Sequence, residues 1–263
     1  MAASRRLVAG TGWNMNNDAA ATRRYATELA SRLQGRDLSA LDLYVLPPFT
    51  SLAAAHEAFA DLPVAIGGQN MHWEEAGSWT GEISAPMLCE AGCRYVALAH
   101  SERLAHFGET YALVRRKLNA ALAHELTPVL CLGELADERA EGRAEAVLAT
   151  QVRTALADQK SRAVAKVILA YEPRWAIGQA EAASPAYVAE RHAAIRAVVA
   201  ADWGAETAAA VRIVYGGSVT ARNGRALIDL ADVDGLFVGR AAWTGAGFAD
   251  IVDLVAAAAA RKG

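Results

Sequence analysis

The chain reads as a closed (β/α)8 barrel in a single domain, residues 1–263, on three observations. Eight short apolar runs recur along it. Amphipathic stretches rich in Ala and Arg separate them, the alternation expected of a parallel sheet with helical crossovers. A length of 263 residues and a hydrophobic content of 54% suit one barrel with a large core. The candidate strands, in order, are Leu7–Gly10, Leu43–Leu46, Val64–Gly67, Tyr95–Ala99, Val129–Leu132, Val167–Ala170, Arg212–Val214 and Leu236–Val238. Such short apolar runs have the pattern of strands covered on both faces. The main helical candidates between them are Thr22–Leu33, Leu113–His124, Glu138–Ala157, Ala186–Ala201 and Asp250–Ala260. A doubly wound open sheet is the rival. It would want a dinucleotide fingerprint after the first strand, and Gly10-Thr11-Gly12 runs into Trp13 without a third glycine or a later acidic partner.

Composition narrows the function. A net charge of −3 provides no basic field, so neither nucleic acid nor an anionic membrane is an expected partner, and any anion site must be local. Cys89, Cys93 and Cys131 are odd in number and no signal peptide is evident, so disulfides are not expected and the cytoplasm is the expected compartment. Cys89-x-x-x-Cys93 has no matching Cys/His pair, so no metal site is expected. No apolar run is long enough to span a bilayer.

In a barrel of this kind chemistry sits in the loops at the carboxyl ends of the strands. The stretch Lys166–Gly178 carries the sharpest signal. Glu172 stands two residues beyond the predicted sixth strand, and Pro173, lacking an N–H, stops further pairing. An apolar tip, Trp175-Ala176-Ile177, follows and hinges at Gly178. Taken alone this is either a general base under a lid or a solvated Glu in an ordinary loop. His100, at the end of strand four, is equally open between packing and catalysis. Gly217-Ser218 after strand seven and Gly239 after strand eight let backbone N–H groups approach an anion, and with Gly178 they form a candidate cradle. The lysines are Lys117, Lys160, Lys166 and Lys262. None is placed to reach this rim, which disfavours a Schiff-base aldolase.

Set together, these motifs resemble the triosephosphate isomerase family over nearly the whole chain. Tyr171-Glu172-Pro173 and Trp175-Ala176-Ile177-Gly178 match its base-and-lid segment, with Arg174 where an apolar residue is usual and Gln179-Ala180 in place of Thr-Gly. His100-Ser101-Glu102-Arg103 matches the motif after its fourth strand. The resemblance implies Glu172 as the proton-shuttling base, His100 as the electrophile, a phosphorylated small sugar as substrate, and no metal or cofactor. That family is itself a worked case of a Glu base paired with a neutral His held near a helix N-terminus. It also implies that Glu134 supports the lid tryptophan. Finally, it implies a homodimer, in which the long loop Gln69–Ser84, with Thr80-Gly81-Glu82 at its tip, docks into a second subunit. Arg103 is expected to pair there with the partner's Glu82, and His72 and Trp73 to pack at the interface. The alternative for this loop is to fold back on its own barrel.

Two departures stand out. Where the family shows Asn-Trp-Lys-Met-Asn after strand one, this chain has Gly12-Trp13-Asn14-Met15-Asn16, so Asn14 occupies the place of a phosphate-binding lysine. Gly239-Arg240-Ala241-Ala242-Trp243 and the Gln69–Ser84 loop look like the branch that isomerises four-carbon ketose phosphates in erythritol and threitol breakdown, and Asn14 departs from that branch as well. Arg240 and Arg174 are the candidate substitute cations. The expected activity is therefore a triose- or tetrulose-phosphate isomerase. The alternative is an impaired homologue that binds a sugar phosphate or a partner without turnover.

Overall fold

The computed structural model describes residues 5–179 and 182–262. Eight parallel strands close into a barrel in sequence order: β1 (Leu7–Gly12), β2 (Leu41–Leu46), β3 (Ala65–Gly68), β4 (Tyr95–Leu98), β5 (Thr127–Leu132), β6 (Ile168–Tyr171), β7 (Arg212–Gly217) and β8 (Gly235–Val238). The seam is β1 against β8, in the register Val8↔Gly235 to Thr11↔Val238. All eight predicted runs are strands, because each is buried on both faces. Val8, Tyr44, Val129, Ile168, Val214 and Phe237 fill the lumen, while their neighbours Leu7, Leu43, Leu130, Leu169, Ile213 and Leu236 pack outward under the helices.

Strand ends differ from expectation at the rim. Gly12 and Gly217, expected in loops, are the last residues of β1 and β7. Ala99, expected in the fourth strand, leaves it by adopting a φ of 61°. Helix starts lie earlier than the apolar periodicity suggests, because polar caps precede it. Asp18 accepts from Ala21 N ahead of helix Ala19–Leu33, Thr110 accepts from Leu113 N ahead of Tyr111–Ala123, and Ser184 accepts from Tyr187 N ahead of Pro185–Trp203. The single helix expected over Glu138–Ala157 is two, Ala136–Ala140 and Ala144–Leu156. Gly142 separates them in the left-handed region, at a φ of 71°. The amino end of the barrel is closed by ion pairs, with Arg196 holding Asp232 and Asp234 at 2.6 Å each and Arg5 holding Asp234 at 2.6 Å. Among the described residues no helix is long and apolar enough to cross a membrane.

Candidate active site

Glu172 follows β6 directly rather than standing two residues clear of it, since Tyr171 is the last residue of the strand. Ile168 and Ala170 face the lumen, so the alternation of the strand carries the Glu172 side chain inward at the mouth of the barrel. Two glycines make room for it. A Cβ on Gly216 would lie 2.5 Å from Glu172 Cγ, and one on Gly133 would lie 1.9 Å from the Glu172 carbonyl oxygen. The residue is only 6% exposed. This burial pushes its carboxyl above the usual carboxylate range, and the facing His100 pulls it part of the way back.

His100 leaves β4 just before the short helix Ser101–His106. Its Nε2 stands 4.0 Å from Glu172 Oε2, so the two residues singled out from strands four and six do face each other across the mouth. The other ring nitrogen, Nδ1, is 3.6 Å from Glu102 Oε2.

Asn14 lies on the same rim at a φ of 53°, a conformation asparagine tolerates better than most residues. Its Nδ2 donates to Glu102 Oε1 at 3.1 Å. Gln69 Nε2 holds the Asn14 carbonyl at 2.8 Å. Gly12 is fixed from the far side of the seam, where Trp243 Nε1 donates to its carbonyl at 3.0 Å. A Cβ on Gly12 would make ordinary contact with Phe237 Cζ at 3.5 Å and Asn14 Oδ1 at 3.8 Å, at the position where the resemblance expects an asparagine.

The lid segment begins with Pro173 and a 3₁₀ turn, Arg174–Ala176. Trp175 Nε1 donates to Glu134 Oε1 at 2.7 Å, and Tyr187 OH to the same oxygen at 2.8 Å. Tyr171 OH lies 3.2 Å from both Glu134 oxygens. Arg139 stacks on the Trp175 ring with its guanidinium carbon 3.8 Å from the centroid. Glu134 has no solvent exposure, so one carboxylate seats three donors brought from three elements. The resemblance implied the tryptophan contact, but the two tyrosines carried no sequence signal. Glu134→Ala strands three donors, each costing about 1–3 kcal/mol when left unmade. A fall in Tm of at least roughly 6 °C is expected in a melt, with a smaller loss for Glu134→Gln, which keeps a carbonyl acceptor.

The residues expected to form an anion cradle follow β7 and β8. Ser218 Oγ lies 3.0 Å from Ala176 O and 2.7 Å from Gln179 O, and Arg240 Nη2 donates to Gly178 O at 3.3 Å. Gly217, Ser218, Gly239 and Arg240 thus gather around the lid carbonyls, with Ile177 and Gly178 between them. Ala180, noted at the lid, lies outside the described residues. Arg174 is not part of this group. Its stem runs past Gly133, beyond the end of β5, where a Cβ would lie 3.4 Å from Arg174 Cγ.

The long loop after β3 is tied to its own barrel along one side, where Arg116 meets Glu74 at 3.3 Å and covers the Trp73 ring, and His124 Nε2 lies 2.9 Å from Glu75. Asn70, Met71 and His72 are buried at its foot, while Glu74 to Glu82 stand exposed, including Thr80 and Gly81. His72 packs against Trp73 and Trp79, with ring centroids 4.0 and 4.4 Å away. Arg103 faces Glu109 of its own chain at 3.6 Å and covers the Phe107 ring. Lys117, expected on a helix away from the rim, is buried and donates to Asn70 at 2.8 Å and to Glu109. This buried pair beneath the rim loops was not anticipated, because nothing in the local pattern of an amphipathic helix marks a lysine as buried.

Fold and site together define a closed (β/α)8 barrel with a buried carboxylate and a facing imidazole at the carboxyl ends of its strands. Comparison with known proteins agrees. The triosephosphate isomerase family model matches residues 7–255. The chain is 45% identical to the triosephosphate isomerase of Chloroflexus aurantiacus, covering 94% of this chain and 97% of the relative. It is 42% identical to the L-erythrulose-1-phosphate isomerase of Mesorhizobium japonicum, over 95% and 97%, and 43% identical to that of Rhizobium etli, over 96% and 94%. The chain belongs to the triosephosphate isomerase family, and with it to the sugar-phosphate isomerases.

Proposed function

We propose that this chain interconverts a small ketose phosphate and its isomer by moving a proton between adjacent carbons. The Glu172 carboxylate takes a proton from the carbon beside the carbonyl, and His100 Nε2 hydrogen-bonds the carbonyl oxygen as charge develops on it. The same carboxyl then returns a proton to the neighbouring carbon while the hydroxyl proton passes from one substrate oxygen to the other by way of His100, so the substrate's composition and electron count are unchanged and no cofactor is required. The observation that carries this reading is the 4.0 Å approach of His100 Nε2 to Glu172 Oε2 at the mouth of the barrel. Gly178, Gly217, Ser218, Gly239 and Arg240 hold the phosphate, while Pro173 to Ile177 close over the reacting carbons and exclude water. The Arg240–Trp243 segment favours a four-carbon substrate over a triose phosphate, consistent with a role in breakdown of four-carbon sugar alcohols in the cytoplasm.

The working unit in this reading is a homodimer of single-domain chains. Met15 is 96% exposed and Trp79 is 47% exposed, on two rim loops that Gln69 ties together, and a second copy would cover both. In that dimer Thr80, Gly81 and Glu82 enter the partner, and Arg103 meets the partner's Glu82.

Incubation in deuterium oxide with a panel of triose and tetrulose phosphates, followed by NMR, tests the activity. Solvent deuterium is expected at the isomerised carbons, fastest for a tetrulose phosphate. No exchange above the solvent background with any member would remove the proposal. One observation favours a second reading, an impaired homologue that binds without turnover. The rim position expected to carry a cation is Asn14, and its amide is already committed to Glu102.

A further inference from the structure

We propose that the phosphate-side cation of this site is Arg240, in the loop after β8, where it is coupled to the lid. This assignment rests on the sugar-phosphate reading. Four placements lead to it. Asn14 is neutral, and its amide and its carbonyl are both engaged, by Glu102 and Gln69. No described lysine substitutes for it. Lys117 is buried against Glu109, Lys262 donates to Leu230 O and Val233 O at 2.7 and 2.8 Å, and Lys160 and Lys166 flank the short helix leading into β6, at the amino end of the barrel. Arg174 lies along Gly133, past β5, on the far side of Glu172 from the glycines of β7 and β8. Arg240 directly follows Gly239, forms no ion pair among the described residues, and reaches the lid at Gly178 O.

The chemistry of that contact suggests how it works. Arg240 and Ser218 both donate to backbone carbonyls of the lid, at Gly178 and at Ala176 or Gln179. A carbonyl is a neutral acceptor, whereas a phosphate monoester is a dianion with several acceptor oxygens. With a phosphate both partners are charged and the guanidinium engages it through two parallel bonds, whereas a carbonyl offers one neutral acceptor. An entering phosphate therefore takes these donors from the carbonyls, and the guanidinium spans the lid and the phosphate together. Capture of the anion and the position of the lid are then set by one side chain.

Calorimetric titration with inorganic phosphate tests this without requiring turnover. Arg240→Ala is expected to weaken phosphate binding by about 10–100-fold, the loss of one charged hydrogen-bond partner. Added guanidinium ion should restore part of that affinity, which a merely structural defect would not allow. In steady-state kinetics the same variant should raise KM for a phosphorylated substrate more than it lowers kcat. Arg240→Lys should retain binding in part. If Arg240→Ala binds phosphate as the parent does, or if Arg174→Ala rather than Arg240→Ala loses the affinity, the assignment is overturned while the sugar-phosphate reading survives. If the parent protein binds no phosphate, both fall.

Discussion

Glu172→Gln is expected to slow deuterium exchange by roughly 10²–10⁴-fold, the usual contribution of a positioned acid–base group, and to make the protein more stable at neutral pH. Both effects come from one environment. The carboxyl is buried between Cys131 and Gly216, and burial raises its pKa in the fold above its reference of 4.5. A carboxyl whose folded pKa is raised binds more protons folded than unfolded between the two values, so it lowers stability as pH rises through that window. Below the unfolded value the cost is absent, and above the folded value it is fully present. A neutral amide of the same shape removes the cost. Thermal melts should therefore show Glu172→Gln above the parent at pH 8, with the gap closing near pH 4. The acid limb of the parent's kcat/KM should also lie above that of an ordinary carboxylate. Equal melting curves at both pH values would show that the buried charge is not what burdens the fold, and undiminished exchange would remove Glu172 as the base.

Asn14→Lys is the second large change, and here activity is expected to rise. A lysine reaches Glu102 and places an ammonium on the side of the mouth where negative charge develops during proton transfer. Arg240, which reaches Gly178 of the lid, is not bonded to Glu102 or Asn14 among the described residues. A charged hydrogen bond contributes about 1.5–3 kcal/mol, which corresponds to roughly 10–150-fold in kcat/KM if it acts in the transition state. The substitution carries a cost, because the φ of 53° is harder for lysine than for asparagine, about 1 kcal/mol of stability. Kinetics on the tetrulose and triose phosphates, alongside a melt, separates the two effects. An unchanged rate in a folded variant would mean that the neutral residue at this position does not limit the enzyme, and the impaired-homologue reading would lose its support.

The two substitutions meet at Glu102, which lies 3.6 Å from His100 Nδ1 and accepts from Asn14. Any cation placed at position 14 therefore acts on the electrophile as well as on the substrate, and the pH profile of Asn14→Lys should differ from the parent's.

The eight strands were legible in the chain because a strand buried on both faces must be apolar at every position, a local demand that leaves a local mark. Glu172, His100 and the glycines of the cradle were legible for a related reason: each sits at the carboxyl end of such a run, and the chain order of a barrel delivers all of those ends to one rim. Helix starts were less visible, since a cap such as Asp18 or Thr110 precedes the periodicity that announces the helix. What only the tertiary structure decided are the pairings between residues far apart in sequence. Asn14 meets Glu102 across 88 positions and Tyr187 meets Glu134 across 53, and no local pattern encodes such a meeting. Arg174 and Arg240 were equivalent candidates in the sequence. The barrel separates them, because the stem of Arg174 lies beside Gly133 past β5 while β8 delivers Arg240 to Gly178 of the lid, and the reach of a side chain from a fixed backbone depends on the whole fold.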